Sequence, residues 1–312
     1  VIVLVAPGQG SQTPGFLSSW ITDPTLKEQL EQLSEASGVD LVAHGTTSDA
    51  DTIRDTAVAQ PLIVAAGLLT ARALFERVSP GAIAGVAGHS VGELTAAALA
   101  GVVTEADAVS LVTVRARAMA EAAAAAPTGM SAVLGGDEAE LLALLDDLGL
   151  QPANFNGGGQ IVVAGDLDAL AALADAPPAK ARVIPLKVAG AFHTRFMSTA
   201  VEPLRVAVAG VSVSDPATRL WSNASGDEIS GGREFFDLLV GQVASPVRWD
   251  KTMESFQAAG ITGLIELAPA GALTGLAKRG LRAPDGGKLP TVAITSPDDL
   301  QAAVDLLEGA SA

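Results

Sequence analysis

Gly88-His89-Ser90-Val91-Gly92 is a G-x-S-x-G sequence set between an apolar stretch, Ala82–Ala87, that reads as a buried strand and a run, Ser90–Ala100, that reads as a helix. In that strand–turn–helix setting the pattern forms a nucleophile elbow, with the serine hydroxyl exposed on a tight turn. The flanking glycines admit a turn that a side chain would block. The helix beginning at the serine points its N-terminal amides toward the same spot, which favours developing negative charge. The chemistry implied is nucleophilic attack by Ser90 on an acyl carbonyl.

A serine needs a base, and the chain has only three histidines, His44, His89 and His193. His44 lies in a stretch of low periodicity that reads as a loop. His89 adjoins Ser90, and neighbouring side chains generally point apart, so it reads as structural. His193, in Gly190-Ala191-Phe192-His193, is the candidate base. No acid flanks it, which leaves open whether a backbone carbonyl or an amide orients the imidazole.

Other chemistries are narrowed by composition. There are no cysteines, which excludes disulfides, thiolate catalysis and cysteine-type zinc sites. The histidines lack H-E-x-x-H spacing, so no metal is expected. The formal net charge of −16 argues against duplex nucleic acid as a partner. No basic segment precedes the apolar start Val1–Ala6, and that run is too short to cross a bilayer. A cytoplasmic enzyme without a membrane partner is the expectation, and the absent initiator Met leaves room for a few residues upstream.

The elements that must position these residues alternate. Val1–Val5 is a continuous apolar run, as in a strand buried on both faces, and it ends in the loop Pro7–Gln12. A helix is expected from Asp23 as N-cap with Pro24 at its first position, then helices over Gln60–Val78 and Thr104–Ala126. Near Pro127 the rhythm changes. Strands at Thr128–Leu134, Pro152–Asn156, Gln160–Ala164 and Ala181–Leu186, with helices at Asp137–Asp147 and Leu167–Ala176, give the order β-α-β-β-α-β of a ferredoxin-like unit. Helices at Thr194–Ala209, Gly232–Val243 and Trp249–Ala259 and strands at Ile261–Leu267 and Pro290–Ile294 resume the alternation. The fold class expected is α/β. A mostly parallel, α/β-hydrolase-like core (residues 1–126 and 191–312) carries an inserted ferredoxin-like α+β subdomain (127–190).

Six pieces of this sequence together resemble the malonyl-CoA:acyl carrier protein transacylases and the related acyltransferase domains of fatty acid and polyketide synthases. They are Pro7-Gly8-Gln9-Gly10-Ser11-Gln12, Gly88-His89-Ser90-Val91-Gly92-Glu93, Val114-Arg115-Ala116-Arg117, Asn154-Phe155-Asn156 before Gly159-Gln160, Gly190-Ala191-Phe192-His193, and Pro246-Val247-Arg248-Trp249. They follow the family's order and span nearly the whole chain. The resemblance implies that Ser90 carries the acyl group and His193 is its base. It implies an oxyanion hole made by Gln9 and the backbone N–H of Val91, and a histidine oriented by the backbone carbonyl of Gln242. Arg115 resembles the arginine that holds the malonyl carboxylate. On residue spacing alone Arg115 and Arg117 face opposite sides of a helix, only one can enter a pocket, and the choice stays open. Phe192 resembles the residue before the base in malonyl-selecting members, and Met119 lies one turn beyond Arg115. Asn154 and Asn156 read as turn residues rather than catalytic ones, with Asn154 kept as a substrate-binding candidate.

The function implied is transfer of malonyl from malonyl-CoA to acyl carrier protein through a malonyl-serine, supplying extender units for fatty acid or polyketide synthesis. No cofactor is expected, because the pantetheine arm arrives on the carrier. The alternative is a serine hydrolase or thioesterase, which requires the order Ser…Asp/Glu…His; Asp166 and Asp168 satisfy it but fall in the insert. A non-catalytic carrier-binding module is disfavoured by the intact Ser90 and His193.

Overall fold

In the computed structural model, which describes residues 1–188 and 190–309, the opening apolar run becomes strand β1 (Ile2–Ala6), buried throughout. The other strands are β2 (Gly85–Gly88), β3 (Thr128–Leu134), β4 (Gln151–Gly157), β5 (Gln160–Asp166), β6 (Arg182–Pro185), β7 (Arg219–Trp221), β8 (Val247–Arg248), β9 (Gly263–Glu266) and β10 (Thr291–Ala293). The first helices are α1 (Pro24–Ser37), α2 (Leu41–Thr46), α3 (Thr56–Phe75), α4 (Gly92–Leu99), α5 (Glu105–Ala124) and α6 (Glu138–Leu148). They are followed by α7 (Leu167–Asp175), α8 (Ser198–Ala209), α9 (Gly232–Gln242), α10 (Trp249–Ala258), α11 (Ala272–Gly280) and α12 (Leu300–Gly309).

One sheet is parallel throughout, in the order β10-β9-β1-β2-β7. Strand alternation splits β1 between two cores. Ile2, Leu4 and Ala6 join the large cluster with α3, α4 and α5, while Val3 and Val5 pack with Trp249, Phe256 and Leu273 on the other face. A sheet covered on both sides needs apolar residues at every position, which is what Ile2–Ala6 supplies. Helix α3 is long and apolar enough to cross a membrane, but most of it is buried within this fold.

The second sheet runs β6-β3-β5-β4-β8. Its first four strands are mutually antiparallel, the ferredoxin-like order. Val133, Leu145, Val163 and Leu173 form a separate core on the side of α6 and α7. On its other face Met130, Ala132, Val162 and Ala164 join the large cluster. β8 pairs in parallel with β4, matching Asn154 to Val247 and Phe155 to Arg248, and so ties this sheet to the chain beyond α9.

Several local expectations shift. Asn154 and Asn156 lie within β4, in keeping with the strand expected over Pro152–Asn156 and not with their reading as turn residues; Gly157 closes β4 and Gly158-Gly159 make the turn, all three with positive φ. The expected strand Ala82–Ala87 starts later, because Ser79 caps a short 3-10 turn over Pro80–Ala82. His44 sits in α2, whose N-cap is Asp40, and not in a loop. The helix expected from Thr194 is preceded by a 3-10 turn over Arg195–Met197. Ala189, in the expected insert, and residues 310–312, in the expected core, lie outside the described residues.

Candidate active site

The site forms at the carboxyl ends of β1, β2 and β7, where an open parallel sheet exposes its loops. β2 ends at Gly88, and Ser90 follows with φ 53°, in the left-handed region. A non-glycine residue held there costs about 1–3 kcal/mol, so the surroundings must impose it. They do so by close approach. A Cβ on Gly92 would lie 2.2 Å from the Ala6 carbonyl oxygen, and one on Gly88 would lie 2.0 Å from the Gly92 carbonyl carbon. Asn223, just past β7, clamps the turn from the other side. Its Oδ1 accepts from the Ser90 N–H at 2.7 Å and its Nδ2 donates to the Gly88 carbonyl at 2.7 Å.

His193 also has positive φ, 60°, and is buried. Ser90 Oγ lies 2.7 Å from His193 Nε2, and His193 Nδ1 lies 2.8 Å from the Gln242 carbonyl oxygen at the end of α9. That carbonyl can only accept, so it fixes the proton on Nδ1 and leaves Nε2 free to take the serine proton. Burial, aided by the Arg115 guanidinium, pushes the imidazole down to about 3. The ring is therefore neutral, as a base must be. Among the described residues no carboxylate hydrogen-bonds to His193. Asp166 instead caps α7, and Asp166 and Asp168 are both exposed.

Arg115 enters from α5 and is 1% exposed, whereas Arg117 is exposed. Its Nη1 donates to Gln60 Oε1 at 2.7 Å and its Nη2 to Gln242 Oε1 at 3.0 Å and to Ser90 Oγ at 3.2 Å. Its Nε is buried with no acceptor. Among the described residues Arg115 forms no ion pair within 4.0 Å. Burial lowers it to about 10, with Glu93 opposing, so it keeps its charge at neutral pH. A buried cation whose hydrogen bonds go only to neutral amide and hydroxyl oxygens is a ready anion site.

Gln9, Gln60, His89, Val91, Met119, Met130, Asn154, Phe192 and His193 surround Ser90 in a cavity of about 90 Å3. The Gln9 side chain turns away and donates to the Arg54 carbonyl at 3.2 Å. Among the described residues, neither the Gln9 N–H nor the Val91 N–H has an acceptor. The Ser90 N–H, by contrast, is taken by Asn223. Two free amides beside the nucleophile suit an oxyanion hole. A groove of about 450 Å3 leads outward past His89, Asn154, Asn156 and Gln160 to Arg279 on α11. His89 Nε2 lies 3.0 Å from Asn156 Oδ1, so this histidine holds the groove wall. Asn154 Oδ1 is buried and unpaired beside both cavities. His44 bonds Ser48 and lines neither cavity.

The acyl transferase domain family matches residues 3–310. The chain belongs to this family. The acyltransferase is 49% identical over 307 residues to the malonyl CoA-acyl carrier protein transacylase of Mycobacterium tuberculosis (strain ATCC 25618 / H37Rv), covering 98% of this chain and all of that one. The crystal structure of MCAT from Mycobacterium tuberculosis superposes with a TM-score of 0.92 at 49% identity, covering 96% of this chain and 98% of that one. A solved complex of a type II PKS acyl-carrier protein with its malonyl-transacylase gives a TM-score of 0.90 at 29% identity, covering 98% and 99%.

Sequence reasoning missed three residues of this acyltransferase's site. Gln60 carried a signal, an amide in the apolar first half of α3, whose burial is costly unless it has a partner. Glu93 was visible in the elbow motif, but its burial was not. Asn223 gave no local signal, because it follows the three-residue strand β7.

Proposed function

We propose that this acyltransferase moves malonyl from malonyl-CoA to the phosphopantetheine thiol of acyl carrier protein, by a ping-pong route through malonyl-Ser90. The observation that carries this reading is Arg115, a buried guanidinium without a carboxylate partner, 3.2 Å from the nucleophile. It suits an acyl group that ends in a carboxylate. The small cavity favours a short acyl chain over a long one.

In the first half-reaction His193 Nε2 takes the Ser90 proton as Oγ attacks the thioester carbonyl. The tetrahedral oxyanion meets the N–H groups of Gln9 and Val91. Collapse expels the coenzyme A thiolate, which takes the proton from His193. In the second, His193 accepts the proton of the carrier thiol, the thiolate attacks malonyl-Ser90, and the proton returns to Ser90 Oγ. Substrate binding tunes the base. A malonyl carboxylate against Arg115 offsets the positive charge that holds His193 down, and so makes the imidazole more basic when it is needed.

In this reading Phe192 and Met119 wall the acyl pocket and Asn154 faces the pantetheine arm. The chain divides into a catalytic core, residues 1–126 and 191–312, and a small subdomain, 127–190, a division supported by the separate core beneath α6 and α7. The reading includes a cytoplasmic location and extender supply for fatty acid synthesis, with polyketide synthesis as a second use. It includes neither a nucleic-acid nor a membrane partner. The test is to incubate the protein with malonyl-CoA, quench, and map the adduct by mass spectrometry, then add holo-carrier or buffer alone. Malonyl on Ser90 that passes to the carrier thiol is expected; release as free malonate with no transfer would identify a hydrolase.

A further inference from the structure

Glu93, the second residue of α4, is completely buried, and nothing in the reaction above uses it. Both of its oxygens have a donor facing them. Oε1 accepts from the Asn223 N–H at 2.6 Å, and Oε2 accepts from Gln242 Nε2 in a short hydrogen bond. The Gln242 amide is thus held between Glu93 and the Arg115 guanidinium, with Oε1 on Arg115 and Nε2 on Glu93 in its shortest bond, the same Nε2 lying 3.3 Å from Asn223 Oδ1 and 3.5 Å from the Ser90 carbonyl. A primary amide has one donor end and one acceptor end, so its direction decides what Arg115 meets. With the oxygen toward Arg115, Nη2 is satisfied and held beside Ser90. With the amide reversed, N–H would face N–H, and the guanidinium would be displaced.

We propose that Glu93 is the positioning residue that sets acyl selectivity. By accepting from Gln242 Nε2 it fixes the polarity of the Glu93–Gln242–Arg115 chain, and so holds the guanidinium where a carboxylated acyl group needs it. Glu93 touches neither substrate nor the reacting atoms. Its second bond, to the Asn223 backbone, anchors it, because a backbone N–H cannot reverse. This proposal rests on Arg115 as the carboxylate receptor.

Glu93→Gln is the nearly isosteric test. The Asn223 N–H claims the new amide oxygen, which leaves the new NH2 group facing Gln242 and drives that amide to reverse. The steady-state constants for malonyl-CoA and acetyl-CoA are measured, with thermal unfolding as the check on folding. The malonyl-to-acetyl ratio of kcat/KM is expected to fall at least ten-fold, chiefly through the KM for malonyl-CoA. In an Arg115→Ala background the same change should shift that ratio less than two-fold, since the group it acts through is gone. Gln242→Leu, which keeps the backbone carbonyl on His193, should lower the ratio to a similar extent and should not add to Glu93→Gln. A folded Glu93→Gln enzyme with the wild-type ratio overturns the proposal, as does an equal loss with and without Arg115. If Glu93→Gln does not fold, a wild-type ratio in Gln242→Leu overturns it instead. Failure of the malonyl-transfer reading is separable, because it appears as malonyl labelling that persists in Ser90→Ala.

Discussion

Arg115 Nη2 donates to Ser90 Oγ at 3.2 Å, so the group proposed to select the acyl chain also touches the nucleophile. Ser90 is thereby poised between a donor, Arg115, and an acceptor, His193 Nε2. A carboxylate entering the pocket draws the guanidinium to itself and leaves the serine proton to the imidazole. Ser90→Ala should abolish both malonyl adduct and transfer, since among the described residues no other hydroxyl bonds both of these partners. Intact-mass spectrometry after malonyl-CoA treatment reads this directly.

Arg115→Ala should cost about 2–5 kcal/mol in kcat/KM for malonyl-CoA, the range for stranding a desolvated charge. Acetyl-CoA has no carboxylate and should be spared or improved. Arg117→Ala serves as the control, because that side chain is exposed and should leave both substrates unchanged. Equal losses for malonyl and acetyl would make Arg115 a structural residue.

The pH profile follows from the two causes acting on His193. Burial is the larger and the Arg115 charge the second, and both disfavour the imidazolium. The acid limb of Ser90 acylation by an uncharged serine-directed probe should therefore lie well below the usual histidine range, with full reactivity retained at pH 5. Removing the cation in Arg115→Ala should move the limb upward, while burial keeps it below 6.5. A limb near 6.5 in the wild type would mean that water reaches the ring.

Stability carries the same sign. An imidazole that titrates near 3 when folded and near 6.5 when unfolded binds fewer protons in the native state between those values. Its neutral burial therefore weakens the fold as pH falls from 6.5 toward 3. Glu93 acts oppositely. Burial raises it to about 8, so its ionisation weakens the fold as pH rises from about 4.5 through 8. Chemical denaturation from pH 4 to 8 should show Glu93→Gln flattening the alkaline side of the stability curve relative to wild type.

Much of this site was legible because its chemistry is local in sequence. The elbow needs glycine at 88 and 92 for steric reasons that a short pattern records, and a single plausible base remained after His44 and His89 were set aside. The carbonyl of Gln242 came only through resemblance, since a backbone acceptor leaves no residue-type signal. Long-range partners were not legible. Asn223 meets Ser90 across 133 positions and Gln242 meets Glu93 across 149. In the fold, the long helices and the ferredoxin-like order followed from periodicity and glycine turns. β7 and β8 did not, because strands of three and two residues are too short to show alternation. The strand expected over Pro152–Asn156 was legible and holds Asn154 and Asn156; reading the two as turn residues followed the preference of asparagine beside glycines, which pairing with β5 and β8 overrides.

Gly92→Ala tests the elbow itself. The added methyl would meet backbone oxygens of Ala6 and Pro7 at 2.2 and 2.8 Å, and backbone cannot rotate aside as a side chain can. Overpacking of this kind costs about 1–3 kcal/mol and displaces the turn. The expected result is a lower unfolding midpoint together with loss of Ser90 labelling. Normal labelling would show that β1 can yield.

Carrier docking makes the last prediction. The chain carries −16, and carrier proteins of this kind are acidic, so long-range attraction cannot come from the molecule as a whole. It must come from a local patch. Two candidates are Lys180, Arg182 and Lys187, around β6, and Lys278, Arg279 and Arg282, around the end of α11; all six are exposed. Arg279 lines the groove that adjoins the Ser90 cavity at Gln9, His89 and Asn154, and lies close against Gly158, whereas Lys187 lines a neighbouring cavity of about 340 Å3 that shares Gln9 with the groove. The α11 cluster therefore stands where a carrier would rest while its pantetheine arm lies along the groove. Reversing the charges of Lys278, Arg279 and Arg282 should slow transfer to the carrier and flatten its dependence on salt, because screened attraction is the term removed. Acylation of Ser90 by malonyl-CoA should change far less. Reversal at Lys180, Arg182 and Lys187 should have the smaller effect on transfer. The measurement is the second half-reaction from preformed malonyl-enzyme at low and high salt. Unchanged rates in the α11 variant, with a salt slope equal to wild type, would remove this face as the docking surface.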